Sequence, residues 1–187
     1  MIIVTAVRDG FALLMVVFAA YIVAFKLSFN VFYPVQDALL PAFQGHAMLV
    51  FLPHGVKVLA AWLYGWKSLL LLLPGAATVH FLLFGSDGLS FPEVMSPLVG
   101  ASCGAAAFAL LRLVRLDARP GAPRRLDWKV VLAAGATSSV LNSVGTCWAN
   151  GVAGASVFAY LLGDLLGTVV LMVGLMLVFR WGRQKGL

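Results

Sequence analysis

Six runs of mostly apolar residues dictate what this chain can become, at roughly 8–28, 47–66, 67–86, 94–115, 128–149 and 155–180. A helix needs about 20 such residues to cross the hydrocarbon core of a bilayer. Backbone inside lipid has to satisfy its own polar groups, and runs of this length and character do so as α-helices. The fold class is therefore all-α: a polytopic membrane helical bundle of about six transmembrane helices, with residues 1–187 forming one unit. Only 11% of the residues are charged and 62% are hydrophobic, whereas soluble domains run about 25% charged. No hydrophilic stretch is long enough for a soluble domain, so the chain reads as a non-enzyme. Any catalytic or DNA-binding output would belong to a separate protein. The first run follows Arg8 and lacks a small-residue cleavage site, and it reads as a retained helix rather than a signal peptide.

Basic residues set the orientation. With a cytoplasmic N-terminus, the loop at 112–129 lies inside and carries Arg112, Arg115, Arg119, Arg124, Arg125 and Lys129. The turn at Lys67 and the tail with Arg180, Arg183 and Lys185 are inside as well. The loops at 87–93 and 150–154 fall outside and contain no Lys or Arg; Lys26 alone breaks the pattern. This asymmetry predicts that both ends are cytoplasmic in a multi-pass protein of a bacterial inner membrane. The net charge of +6 thus serves topology, and no nucleic-acid partner is expected. Residues 116–127, interrupted by Pro120 and Pro123, form the basic cytoplasmic loop. Segment 29–45 mixes Pro34, Asp37 and Pro41 with Phe32, Tyr33 and Phe43, and reads as an interfacial helix or folded loop on the outer surface. Gly65-Trp66-Lys67 permits a tight hairpin between the second and third runs.

Against this apolar background a few polar residues stand out. Lys57 and Asp164 each interrupt a membrane-spanning run. A charge at bilayer depth costs about 2.5–3.5 kcal/mol on insertion scales, and such residues usually face the protein interior and find a partner. Counted from outer helix ends near Val50 and Ala155, both lie roughly 10–14 Å deep at 1.5 Å per residue. An ion pair between the second and last spans is the expectation. It either serves a site or only locks two helices together. Ser139, Asn142, Ser143 and Thr146 share one face of the fifth run. His54 and His80 lie toward the same side. The set Lys57, Asp164, Asn142, Ser139, Thr146, His54 and His80 therefore predicts a small-molecule or partner-helix site in the outer half of the bundle.

Other residues read as structural. Pro53 is expected to leave the carbonyl of Leu49 unpaired and to kink its helix. Gly163 and Gly167 have the small-xxx-small spacing of close helix packing. Cys103 and Cys147 lack metal-ligand spacing, and the histidines lack a His-x-x-x-His pattern, so neither metal nor cofactor is expected. Walker, dinucleotide-binding, His-Glu-x-x-His and serine-elbow patterns are absent.

Two segments carry a resemblance. Phe51-Leu52-Pro53-His54-Gly55-Val56-Lys57 and the apolar run that follows to Gly65 resemble the Trp-Pro-x-x-Gly segment of the bacterial membrane-associated sensor domain of the first type. Tyr160-Leu161-Leu162-Gly163-Asp164-Leu165-Leu166-Gly167 resembles that family's late Gly-Asp-x-x-Gly helix. Leu52 stands where Trp is usual, and only His54 separates Pro53 from Gly55. The resemblance implies a membrane input module in signalling, with Pro53, Gly55, Gly163, Asp164 and Gly167 as its motif positions. Family members commonly have about eight spans and precede an output domain, and this chain has neither. A sensor-like module with the lipid bilayer and a separate membrane or output protein as partners is the leading expectation. The alternatives are a substrate-binding component of a transporter and an accessory subunit of a larger membrane complex.

Overall fold

A computed structural model describes residues 2–40, 48–85, 90–117, 128–151 and 154–186, and among them every regular element is helical. In chain order these are α1 (Ile2–Leu27), a π-helical turn (Ser28–Phe32), α2 (Tyr33–Leu39), α3 (Leu52–Tyr64), a 3-10 turn (Gly65–Lys67), α4 (Ser68–Phe84), α5 (Phe91–Leu113), α6 (Trp128–Ala149) and α7 (Ala155–Gln184). Five stretches are long and apolar enough to cross a membrane: Arg8–Leu39, Leu52–Leu83, Val94–Leu113, Trp128–Ala149 and Val157–Gln184. Large apolar side chains such as Phe11, Leu70, Leu113 and Phe158 are exposed on their outward faces. Soluble monomers avoid apolar surface on this scale, and lipid requires it. The chain is a multi-pass membrane protein.

Five stretches rather than six separate runs follow from one joint. The second stretch contains both α3 and α4. Gly65 ends α3 with φ 57°, a conformation that glycine adopts without steric cost. The Ser68 hydroxyl donates to the Gly65 carbonyl at 2.6 Å and tightens the turn. Lys57 near the start of α3 and His80 near the end of α4 face the same cavity, so the chain reverses between them.

Segment 29–45 differs from its sequence reading. Over residues 29–39 it continues the first helix through the π turn instead of forming a separate outer element, and residues 41–45 lie outside the described part. Pro34 stands in the first turn of α2, where its missing N–H is tolerated beside the wider π turn. The basic loop is described only at Leu116 and Asp117; residues 118–127 lie outside.

The 13-residue α3 is the centre of the bundle. It packs against α1, α4, α5, α6 and α7, and those five form a chain of neighbours in the order α1, α4, α5, α6, α7. Small residues make this possible. Gly104 brings α5 onto the α3 backbone, where a β-carbon would come 3.0 Å from the Lys57 carbonyl oxygen. Gly55 sits equally close to Leu171 of α7. Val58, Ala61, Ala105, Phe108, Val131 and Ala134 fill the interior beyond Lys57.

Between α1–α2 and α7 runs a non-helical strap, Met48–Phe51, that leads into α3. Its N–H groups have no helical partners, and a buried amide without one is costly. Three acceptors from outside supply them. Leu49 N–H donates to Gln36 Oε1 at 2.8 Å. Phe51 N–H donates to the Gly163 carbonyl at 3.0 Å. The N–H of Leu52, the first residue of α3, donates to Ser28 Oγ at 2.9 Å. A β-carbon at Gly163 would overlap the Met48 carbonyl oxygen, and one at Gly167 would overlap that of Phe51. The glycine spacing of α7 thus accommodates strap backbone, rather than a second helix as the motif suggested.

Pro53 corrects another expectation. It lies in the first turn of α3, so no preceding helical turn exists for it to kink. The Leu49 carbonyl belongs to the strap and not to a helix.

Candidate functional site: a cavity with separated charges

At the end of the bundle where α3 begins, the helices enclose a cavity of about 380 Å³. Small-molecule sites occupy roughly 300–1,000 Å³. Tyr21 and Phe29 of the first helix, Phe51 of the strap, Val79 and His80 of α4, and Pro97 and Gly100 of α5 contribute to its wall. So do Asn142 and Thr146 of α6 and Tyr160 and Asp164 of α7.

Lys57 and Asp164 both line this cavity and are 4% and 1% exposed. They do not form the expected ion pair. Lys57 Nζ lies beyond 4.0 Å from the carboxylate, and the nearer neighbour of Asp164 is His54, Nδ1 to Oδ2 at 3.2 Å, an ion pair only when the imidazole is protonated. His54 Nδ1 makes no hydrogen bond there. Register explains the missing pair. Gly163, next to Asp164, lies against Met48, while Lys57 is six residues beyond Phe51, roughly 9 Å further along α3 at 1.5 Å per residue. Equal counts from the helix ends misjudged this because α3 starts later than its apolar run.

Each charge has its own surroundings. Lys57 Nζ has the Tyr21 hydroxyl as a hydrogen-bonding neighbour. It also lies 5.8 Å from the centre of the Phe51 ring, within the reach of a cation–π attraction of about 6 Å. Gly100 gives it room, since a β-carbon there would stand 2.9 Å from Nζ. Asp164 Oδ2 accepts a short hydrogen bond from Asn142 Nδ2 at 2.6 Å. Hydrogen bonds to charged groups contribute about 1.5–3 kcal/mol. The other end of the same amide, Asn142 Oδ1, is buried and accepts nothing.

His54 and Ser139 do not reach the cavity wall. Both are fully buried behind Asp164, with Ser139 Oγ 3.4 Å from His54 Nε2. Carboxylate, imidazole and hydroxyl in that order match the connectivity of a hydrolytic triad. The hydroxyl faces no cavity and donates within α6 to the Gly135 carbonyl at 2.9 Å, so its proton is already committed. Ser143 is similarly occupied, donating to the Ser139 carbonyl at 2.7 Å. Among the described residues no group of His, Cys, Asp and Glu is arranged to hold a metal ion.

Sequence reading missed the aromatic wall. Tyr21, Phe29, Phe51 and Tyr160 carry no polar-in-apolar signal, and aromatic residues are ordinary in membrane helices. Gly100 carries no signal in the sequence, because its neighbour Lys57 belongs to a different helix. Comparison with protein-family models, curated proteins and solved structures returns no match.

Proposed function

We propose that this chain is a sensor-like binding module of a bacterial inner membrane, taking a small molecule into the cavity beside Lys57 and Asp164. One observation carries the reading: two buried, oppositely charged side chains line a single cavity without forming a direct ion pair. Burying an ion is expensive unless something compensates it, and such residues inside membrane segments mark functional sites. A guest that bridges the two charges provides that compensation. The Lys/Arg asymmetry of the loops supports six crossings with both ends in the cytoplasm, which puts the cavity in the outer half. Resemblance of the segments around Pro53–Gly55 and Gly163–Gly167 to a membrane sensor domain agrees with an input role. The response then passes to a partner protein, because occupancy shifts an equilibrium only when two states bind the guest unequally.

Native mass spectrometry of the protein released from membranes tests the reading. The wild-type chain carries a bound small molecule. Lys57→Ala and Asp164→Asn insert normally but arrive without it. Wild-type protein that flies empty, or variants that retain the adduct, rejects the proposal.

A further inference from the structure

The two charges and the unused amide oxygen define what kind of molecule fits. Lys57 Nζ and Asn142 Oδ1 lie 2.9 and 3.6 Å from the point a β-carbon would occupy on Gly100. A cation and a bare acceptor therefore lie close together beside one glycine. Next to the acceptor, Asp164 receives its two contacts on Oδ2 and takes neither on Oδ1. Among the described residues Lys57 thus has no carboxylate within ion-pair distance, and beside it Asn142 Oδ1 has no hydrogen-bond donor. Asn142 is 5% exposed, and a buried acceptor left without a donor is costly. An unpartnered acceptor on a residue that lines the cavity marks a place for a donor.

The rest of the wall is largely aromatic and apolar, with Phe29, Phe51, Val79 and Tyr160, and carries a few polar groups such as His80, Thr146 and Asn150. A purely anionic guest would satisfy Lys57 and leave Asp164 and Asn142 as they are. A purely cationic guest would do the reverse. We infer that the cavity binds a small zwitterion with its anionic and cationic groups on neighbouring atoms and an apolar side chain, as in an aromatic α-amino acid. Its carboxylate meets Lys57, its ammonium group meets Asn142 Oδ1 and Asp164, and its side chain lies among the aromatics. This rests on the binding-module reading and narrows it to a ligand class.

Equilibrium dialysis of the full chain in lipid nanodiscs separates the possibilities. The probes are L-phenylalanine, 3-phenylpropionate and 2-phenylethylamine, which share a ring and differ in which charges they carry. L-Phenylalanine binds at least tenfold more tightly than either singly charged analogue. Lys57→Met removes its advantage over phenylethylamine, and Asp164→Asn removes its advantage over phenylpropionate. Gly100→Ala, which displaces the ammonium without deleting it, weakens L-phenylalanine at least fivefold and covers the case in which a charge deletion fails to fold. Equal binding of the three probes overturns the zwitterion and leaves the module standing. Binding of none, while mass spectrometry still finds a guest, overturns the zwitterion alone. An empty cavity in both experiments removes both readings.

Discussion

At Gly100 the missing side chain leaves room for the end of Lys57, and the consequence is specific. An alanine there would crowd Nζ at 2.9 Å but meet no backbone within 3.4 Å. A flexible lysine gives way at small cost, while a rigid neighbour would not. Gly100→Ala is therefore expected to unfold within about 1 kcal/mol of wild type, since glycine is also the poorer helix former by roughly that amount. Detergent-unfolding curves measure that stability, and the same protein should bind its guest less well. A loss of several kcal/mol would show that Gly100 serves helix packing and not the ammonium. Asn142 is the opposite kind of residue. Its amide joins α6 to α7 through Asp164, and its second atom waits on the cavity side.

Among the elements, the strap depends on its neighbours. Its conformation comes from Ser28, Gln36 and Gly163, which accept its N–H groups, and from the glycines that let it lie on α7. Gly163→Ala sets a β-carbon against a backbone carbonyl that cannot turn aside. The expected loss is about 1–3 kcal/mol of stability, the range for overpacking, with faster proteolysis near residue 50. Gly174→Ala on the same helix, with nothing within 4 Å, is the control and should be neutral or slightly stabilising. Equal effects would mean that helix propensity, not the strap, governs α7. The sequence made the helices legible because apolar run length is a direct statement about lipid. It identified Lys57, Asp164 and Asn142 because polarity inside such a run is conspicuous. The strap and the continuation of α1 into α2 were hidden. Both depend on hydrogen bonds between residues 13 and 24 positions apart, and no local pattern encodes those. Pro53 was misjudged for the same reason: its role turns on where α3 begins, which tertiary acceptors decide.

For the whole molecule, the question is whether a solute can pass. The cavity lies at one end, and beyond Lys57 the interior is filled by Val58, Ala61, Ala105 and Ala134. A second hollow of about 360 Å³ lies near Tyr64, Phe108 and Arg112. Gly104 holds α5 tightly on α3 between the two. A packed septum of this kind suits binding better than conduction. Reconstituted vesicles should therefore retain labelled L-phenylalanine in proportion to protein and accumulate none in the lumen. Time-dependent, saturable uptake would instead establish a carrier and make the septum a gate.

The position of α3 has a mechanical corollary. A rod gripped on all sides and moored at its head has no private motion. If a guest draws on Lys57, as proposed, the helices around α3 would have to shift with it.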